Sequence, residues 1–166
     1  MGSLRGWGRV AALAAVVVLV ATACSSDNNG GSSSAPPIYD VFAQQFRFHG
    51  LPASIPSGNM QINFSNKESF PITHEMILKA LPSGDTAQDI IDSAKVPGCK
   101  GGGECETQYL AFGEIAGVDT GATLSNVFAL PAGNYFFACW ETGTQSGATD
   151  GPPHASKGMV FTFTVT

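Results

Sequence analysis

The chain has 166 residues, with 8 basic against 13 acidic side chains and a net charge of −5 at neutral pH. That balance excludes the broad basic surface that nucleic acid or an anionic membrane face requires. The length left once an N-terminal leader is set aside suits one domain around one hydrophobic core.

The leader opens with Arg5 and Arg9, then runs apolar through residues 10–23 ("VAALAAVVVLVATA") to Cys24. A basic start, an apolar centre and small residues at the end describe an export signal. A membrane-crossing helix needs roughly 20 apolar residues, so this run is too short for a permanent span. "VATAC" resembles the lipobox of bacterial lipoproteins, which makes residues 1–23 a signal peptide and Cys24 the lipidated residue. Ala21-Thr22-Ala23 also satisfies an ordinary signal peptidase, so plain secretion stands as the alternative. Residues 24–37 ("CSSDNNGGSSSAPP") are too poor in apolar side chains to fold and form a flexible tether. Loss of Arg5 and Arg9 takes the mature net charge two units lower, to about −7. The folded domain is expected over residues 38–166.

From Ile38 onward the apolar pattern has period two, interrupted by Pro, Gly, Ser and Asn, which predicts strands over residues 38–48, 59–66 and 72–81. Residues 85–94 ("DTAQDIIDSA") predict one short helix, with Asp85 as N-cap, Gln88 at the third helical position, and Ile90 and Ile91 as its apolar contacts. Cys99 and Cys105 then bracket "KGGGE". In an exported chain such a pair predicts a disulfide, whereas metal binding with Glu104 and Glu106 lacks the usual zinc spacing. Strands resume over residues 108–117, 122–130, 133–140 and 158–166. Seven strands with turn-rich links predict an all-β, antiparallel sandwich of two sheets. No internal repeat is present.

Alternation along a strand assigns the side chains to faces. Tyr135, Phe137 and Cys139 share one face of their strand, opposite Phe136, Ala138 and Trp140. Met159, Phe161, Phe163 and Val165 share another, and His74 sides with Met76 and Leu78. Cys139 is left as an odd cysteine, and in an exported protein that needs its own explanation. His49, in "FRFHG", is read as structural. Glu75 and Glu114 are read as solvated, with Glu75 also placed to orient a ligand.

Three segments together resemble the cupredoxins, the small blue copper proteins. "NFSNKESFPITHE" looks like the family's Asn-containing strand and the loop leading to its first ligand His. "LPAGNYFFAC" is similar to the approach to the ligand Cys, and "HASKGM" looks like the closing H-x-x-x-x-M. The resemblance spans nearly the whole folded domain and is closer still to a bacterial subgroup of secreted cupredoxin-like proteins. It implies a cupredoxin-like Greek-key β-sandwich and, carried over position by position, makes His74, Cys139, His154 and Met159 the ligands of one type 1 copper. Two imidazoles and a thiolate with a weak axial thioether form the blue-copper electron-transfer set.

The departure from the family is the insert of residues 140–153 between Cys139 and His154. Loop-closure entropy grows slowly, so lengthening such a loop from about 4 to about 14 residues costs roughly 1 kcal/mol, and length alone does not exclude the site. The composition of "ETGTQSGATDG" is flexible, while Pro152 and Pro153 stiffen the approach to His154. The insert is also a candidate cover, with Trp140 over the metal, or a partner surface.

The expected function is an exported, lipid-anchored, monomeric copper protein that faces outside or into the periplasm. It would pass single electrons to an unidentified redox partner, or hold copper. A metal-free binding or structural module of the envelope is the alternative. No nucleophile motif, phosphate loop or paired-carboxylate pattern argues for an enzyme, and no nucleic-acid partner is expected.

Overall fold

A computed structural model describes residues 35–143 and 151–166. The signal peptide, Cys24, most of the tether and residues 144–150 of the insert lie outside the described residues. All seven expected strands form: β1 (Ile38–Gln44), β4 (Gly58–Asn66), β5 (Thr73–Ala80), β6 (Ala111–Asp119), β7 (Thr123–Leu130), β8 (Gly133–Ala138) and β9 (Val160–Val165). Two short ones join them, β2 (Arg47–His49) and β3 (Ser54–Ile55). One sheet has the order β2-β1-β4-β7 and the other β3-β9-β8-β5-β6.

Two features differ from the expected pattern. The first run is a hairpin, because Gln45 and Phe46 both adopt positive φ, 52° and 54°, and turn the chain so that β1 pairs antiparallel with β2. The sandwich is also not wholly antiparallel, since β1 pairs parallel with β4 and β3 with β9. Each parallel pair has a sheet-edge strand or its neighbour as a member, reached by a connection that crosses between layers.

Alternation is clean in β4, whose Met60, Ile62, Phe64 and Asn66 point inward. These side chains meet Met76 and Leu78 of β5, Tyr135 and Phe137 of β8, and Phe163 and Val165 of β9 in the core between the sheets. Cys139 and Met159 belong to that same cluster. β5 does not alternate, being buried along almost its whole length, because both of its faces are covered. Its outer face carries Ile77, which joins Phe136, Ala138 and Trp140 in a second cluster roofed by the helix α1 (Ala87–Ser93) through Ile90 and Ala94.

The start of α1 falls one residue later than the sequence suggests. Thr86 is the N-cap and Asp89 the third helical residue, and the two close a reciprocal capping box. The Asp89 carboxylate accepts from both the backbone N–H and the hydroxyl of Thr86, at 2.8 and 2.6 Å. Ile90 is fully buried, whereas Ile91 is only half-buried. Cys99 and Cys105 form the expected disulfide. Between them the chain enters a four-residue helix, α2 (Glu104–Thr107), whose Glu106 pairs with the buried Lys79 at 3.1 Å. No helix among the described residues is long and apolar enough to cross a membrane.

Candidate metal centre

His74 lies at the start of β5, Cys139 directly after β8, and His154 opens a 3₁₀ turn (His154–Lys157) that leads into β9. A bulge helps aim His74. Opposite Glu75, β6 carries an extra residue, so that His74 pairs with Val118 and Met76 with Ile115, and Gly117 accommodates the irregularity with φ of 67°. The end of β8 and the 3₁₀ turn are tied by backbone bonds. The N–H of Ala155 donates to the Cys139 carbonyl at 2.7 Å, and the Cys139 N–H donates to the Met159 carbonyl at 3.2 Å.

These elements bring three donor atoms together. His74 Nδ1 and His154 Nδ1 are 3.0 Å apart, and Cys139 Sγ lies 3.7 Å from the first and 3.3 Å from the second. Among the described residues this is the one cluster of three or more metal-ligating side chains. His74, Cys139, His154 and Met159 are each 0% exposed. The far nitrogen of each imidazole faces an acceptor: His154 Nε2 lies 2.9 Å from the Gly143 carbonyl, and His74 Nε2 lies 3.3 Å from a Glu68 carboxylate oxygen. An acceptor at each Nε2 favours the tautomer protonated there, with both Nδ1 lone pairs turned toward one another and toward the sulfur.

Two lone pairs and a sulfur converge with only the thiol proton to share among them, which leaves an electron-rich hollow suited to a cation. Bond lengths of about 2.0–2.1 Å to imidazole nitrogen and about 2.3 Å to thiolate place the ligand atoms of one trigonal ion roughly 3.5–3.8 Å apart. The observed 3.0–3.7 Å needs only a slight opening. The donor set of two imidazoles, a thiol and a thioether is that of a blue copper site, and the residues fit the metal.

Burial sets the electrostatics. It lowers the His154 pKa to about 4, helped by the nearby charges of His74 and Lys157 and opposed by the Gly143 carbonyl. It also lowers His74, against the pull of Glu68. The Cys139 thiol is raised well above its ordinary value by burial and then by the Glu75 charge. Without metal the donors are thus neutral imidazoles and a protonated thiol. The Glu75 N–H donates to Cys139 Sγ at 3.4 Å, a contact suited to a sulfur that bears charge.

Several neighbours depart from the sequence reading. Glu75 is not solvated: it is buried, its carboxylate accepts the Trp140 N–H at 2.7 Å, and burial together with Glu141, Glu106 and Glu114 raises its pKa to about 8. Trp140 does not cover the donors. It lies on the opposite face of the chain from Cys139, near Tyr109 in the second cluster. The cover is Phe46, whose ring meets His74 and His154 edge-on at centroid distances of 5.7 and 5.1 Å. Lys157 lies over that ring at 4.3 Å. Phe46 and Glu68 escaped the sequence reading: Glu68 lies in the segment leading to His74 but is not one of the ligand positions the resemblance carries over, and Phe46 lies in the first expected strand, far from the ligands along the chain. An acidic residue close before His74 was the one available signal. His49 stacks on Phe42 at 4.9 Å, away from the donors.

No family model matches the chain, and no curated protein sequence does. Among solved structures, a dithionite-reduced auracyanin from the photosynthetic bacterium Roseiflexus castenholzii matches with a TM-score of 0.54 at 16% identity, over 80% of this chain and 98% of its own. Auracyanin B matches with a TM-score of 0.54 at 21% identity, over 80% and 91%. Auracyanin A, a "blue" copper protein from the green thermophilic photosynthetic bacterium Chloroflexus aurantiacus, matches with a TM-score of 0.53 at 16% identity, over 80% and 100%. At these identities the likeness concerns architecture, and the chain accordingly has the cupredoxin fold.

Proposed function

We propose that this is an exported copper protein of the cell envelope that passes single electrons through one type 1 site. The observation that carries the reading is the convergence of His74 Nδ1, Cys139 Sγ and His154 Nδ1 within 3.7 Å in a fully buried, cupredoxin-type position. His74, Cys139 and His154 would hold the metal, with Met159, buried in the same cluster, as a weaker fourth donor. Copper in such a set supplies one-electron exchange without a substrate.

The chain's own residues do the rest. Glu75 N–H steadies the sulfur, while Gly143 and Glu68 orient the imidazoles. Packing from two clusters keeps water away and holds the donors through a change of charge. The half-buried Phe46 ring, edge-on to both imidazoles, is the face we assign to electron exchange with a partner. The acidic composition suits a basic partner protein. Lipidation at Cys24 would tether this monomer to the membrane, and mass spectrometry of the mature N-terminus tests that.

Addition of Cu(II) to purified protein with Cys139 reduced is expected to give the intense visible charge-transfer band of a Cu–thiolate bond. Absence of the band removes the electron-transfer reading and leaves the metal-free envelope module. A band accompanied by negligible electron exchange with any one-electron donor would point to copper holding.

A further inference from the structure

We propose that Glu68 is a positioning residue for the metal centre, one carboxylate that sets the His74 tautomer and also anchors the Phe46 cover. The proposal rests on the copper reading above. It starts from a single oxygen. Glu68 Oε1 accepts the Phe46 N–H at 2.9 Å and lies 3.3 Å from His74 Nε2, and the side chain is only 2% exposed.

The carboxylate is itself built in. It sits in the loop between β4 and β5, where its N–H donates to Asn66 Oδ1 at 3.1 Å. The Asn66 amide in turn donates to the Ile72 and Val118 carbonyls at 2.8 and 2.9 Å. Asn66, which lies in the segment leading to His74, thus holds the loop that carries Glu68.

The other partner of Glu68 is a strained turn. A two-residue hairpin turn with positive φ at both centres favours Asn-Gly, yet Gln45 and Phe46 occupy it. Such backbone persists only where its surroundings hold it, and the Glu68 carboxylate supplies that hold through the Phe46 N–H. The turn is what puts the Phe46 ring against both imidazoles. Lys157 lies over it, and the Arg47 guanidinium donates to the Lys157 carbonyl at 3.1 Å.

The consequence for the site is electrostatic as well as geometric. A carboxylate behind a ligating imidazole makes it a stronger donor and places a negative charge near the metal, which favours the more highly charged Cu(II) over Cu(I). Glu68→Gln keeps an acceptor for both N–H groups and removes the charge. It is expected to keep the visible band and shift the Cu(I)/Cu(II) preference about tenfold toward Cu(I), a rise in potential of about 59 mV for one electron. An unchanged potential overturns the electrostatic role.

The positioning role is read in the metal-free protein. Long-range ¹H–¹⁵N spectra are expected to show His74 protonated at Nε2 in the wild type and in Glu68→Gln, and as a tautomer mixture in Glu68→Ala. Amide exchange at Phe46 is expected to be protected in the first two and fast in the third. A wild-type His74 protonated at Nδ1, or equal Phe46 protection in Glu68→Ala, overturns it. Because these readings need no metal, a wild type that fails to give the band would sink the copper reading while leaving the Glu68 result to stand or fall on its own.

Discussion

At the scale of single residues, the colour falls to Cys139 and the tuning of the potential to Met159 under the copper reading. Cys139→Ala is expected to abolish the visible band while leaving a folded sandwich, as judged by far-UV circular dichroism. Met159→Leu should keep the band and shift the potential, and an unchanged potential would remove Met159 from the ligand set. Gly158 is a third lever. It ends the 3₁₀ turn with φ of 97°, between His154 and Met159. An added Cβ would collide with the Arg47 guanidinium. Gly158→Ala is therefore expected to cost about 1–2 kcal/mol from backbone strain, with Arg47 displaced from Lys157, as measured by urea denaturation. His74, Cys139, His154 and Met159 were legible in the sequence because a ligand set has a fixed chemistry and order. Glu68, Phe46 and the burial of Glu75 were not, since each depends on which loop comes to rest against which strand.

At the scale of elements, the outer layer over β5 and β8 is held by α1 and by the disulfide loop. Thr86→Ala removes one side of the capping box and should destabilise the domain by about 1 kcal/mol. Replacing Cys99 and Cys105 together with Ser frees a short loop and should cost about 2 kcal/mol by the chain-entropy estimate, visible as a lower denaturation midpoint. The band should survive both changes, because Cys139 packs in the other cluster. The seven longer strands were readable from alternation. The β1–β2 hairpin was not, since "QQF" has none of the usual turn residues, and the helix cap was misread by one residue because Asp85 and Thr86 are both good caps. β5 concealed its burial on both faces, as Glu75 and Lys79 look solvent-facing until the second cluster and Glu106 cover them.

At the scale of the whole molecule, the buried titratable groups give the metal-free domain a pH profile with a maximum. His154, with its folded pKa lowered from 6.5 to about 4, contributes stability that is full above 6.5 and lost as pH falls toward 4. His74, lowered as well, acts in the same sense. Glu75 is the reverse case. Its folded pKa is raised from 4.5 to about 8, so its contribution is full below 4.5 and lost as pH rises toward 8. Up to about pH 6.5 the gain from the two histidines opposes the loss from Glu75. From 6.5 to 8 the histidine contributions are constant and Glu75 lowers stability by roughly 2 kcal/mol. Urea denaturation of the metal-free protein across that range should show the fall, and Glu75→Gln, which can still accept the Trp140 N–H, should remove it. A profile of Glu75→Gln that still declines above pH 6.5 would assign the fall to another group.

The sequence by itself determined the alternating strands, the disulfide and the order in which His74, Cys139, His154 and Met159 occur, because side-chain period and donor chemistry are local properties of the chain. It did not determine that the two Nδ1 atoms and the sulfur face one another across 3.0–3.7 Å, or that Phe46 rather than Trp140 covers them. Those were decided by the tertiary structure. Trp140 follows Cys139 directly, so alternation sends its ring to the opposite side, toward α1. Phe46 reaches the imidazoles only because a left-handed turn, held by a carboxylate from another loop, brings a sheet edge over the end of the sandwich.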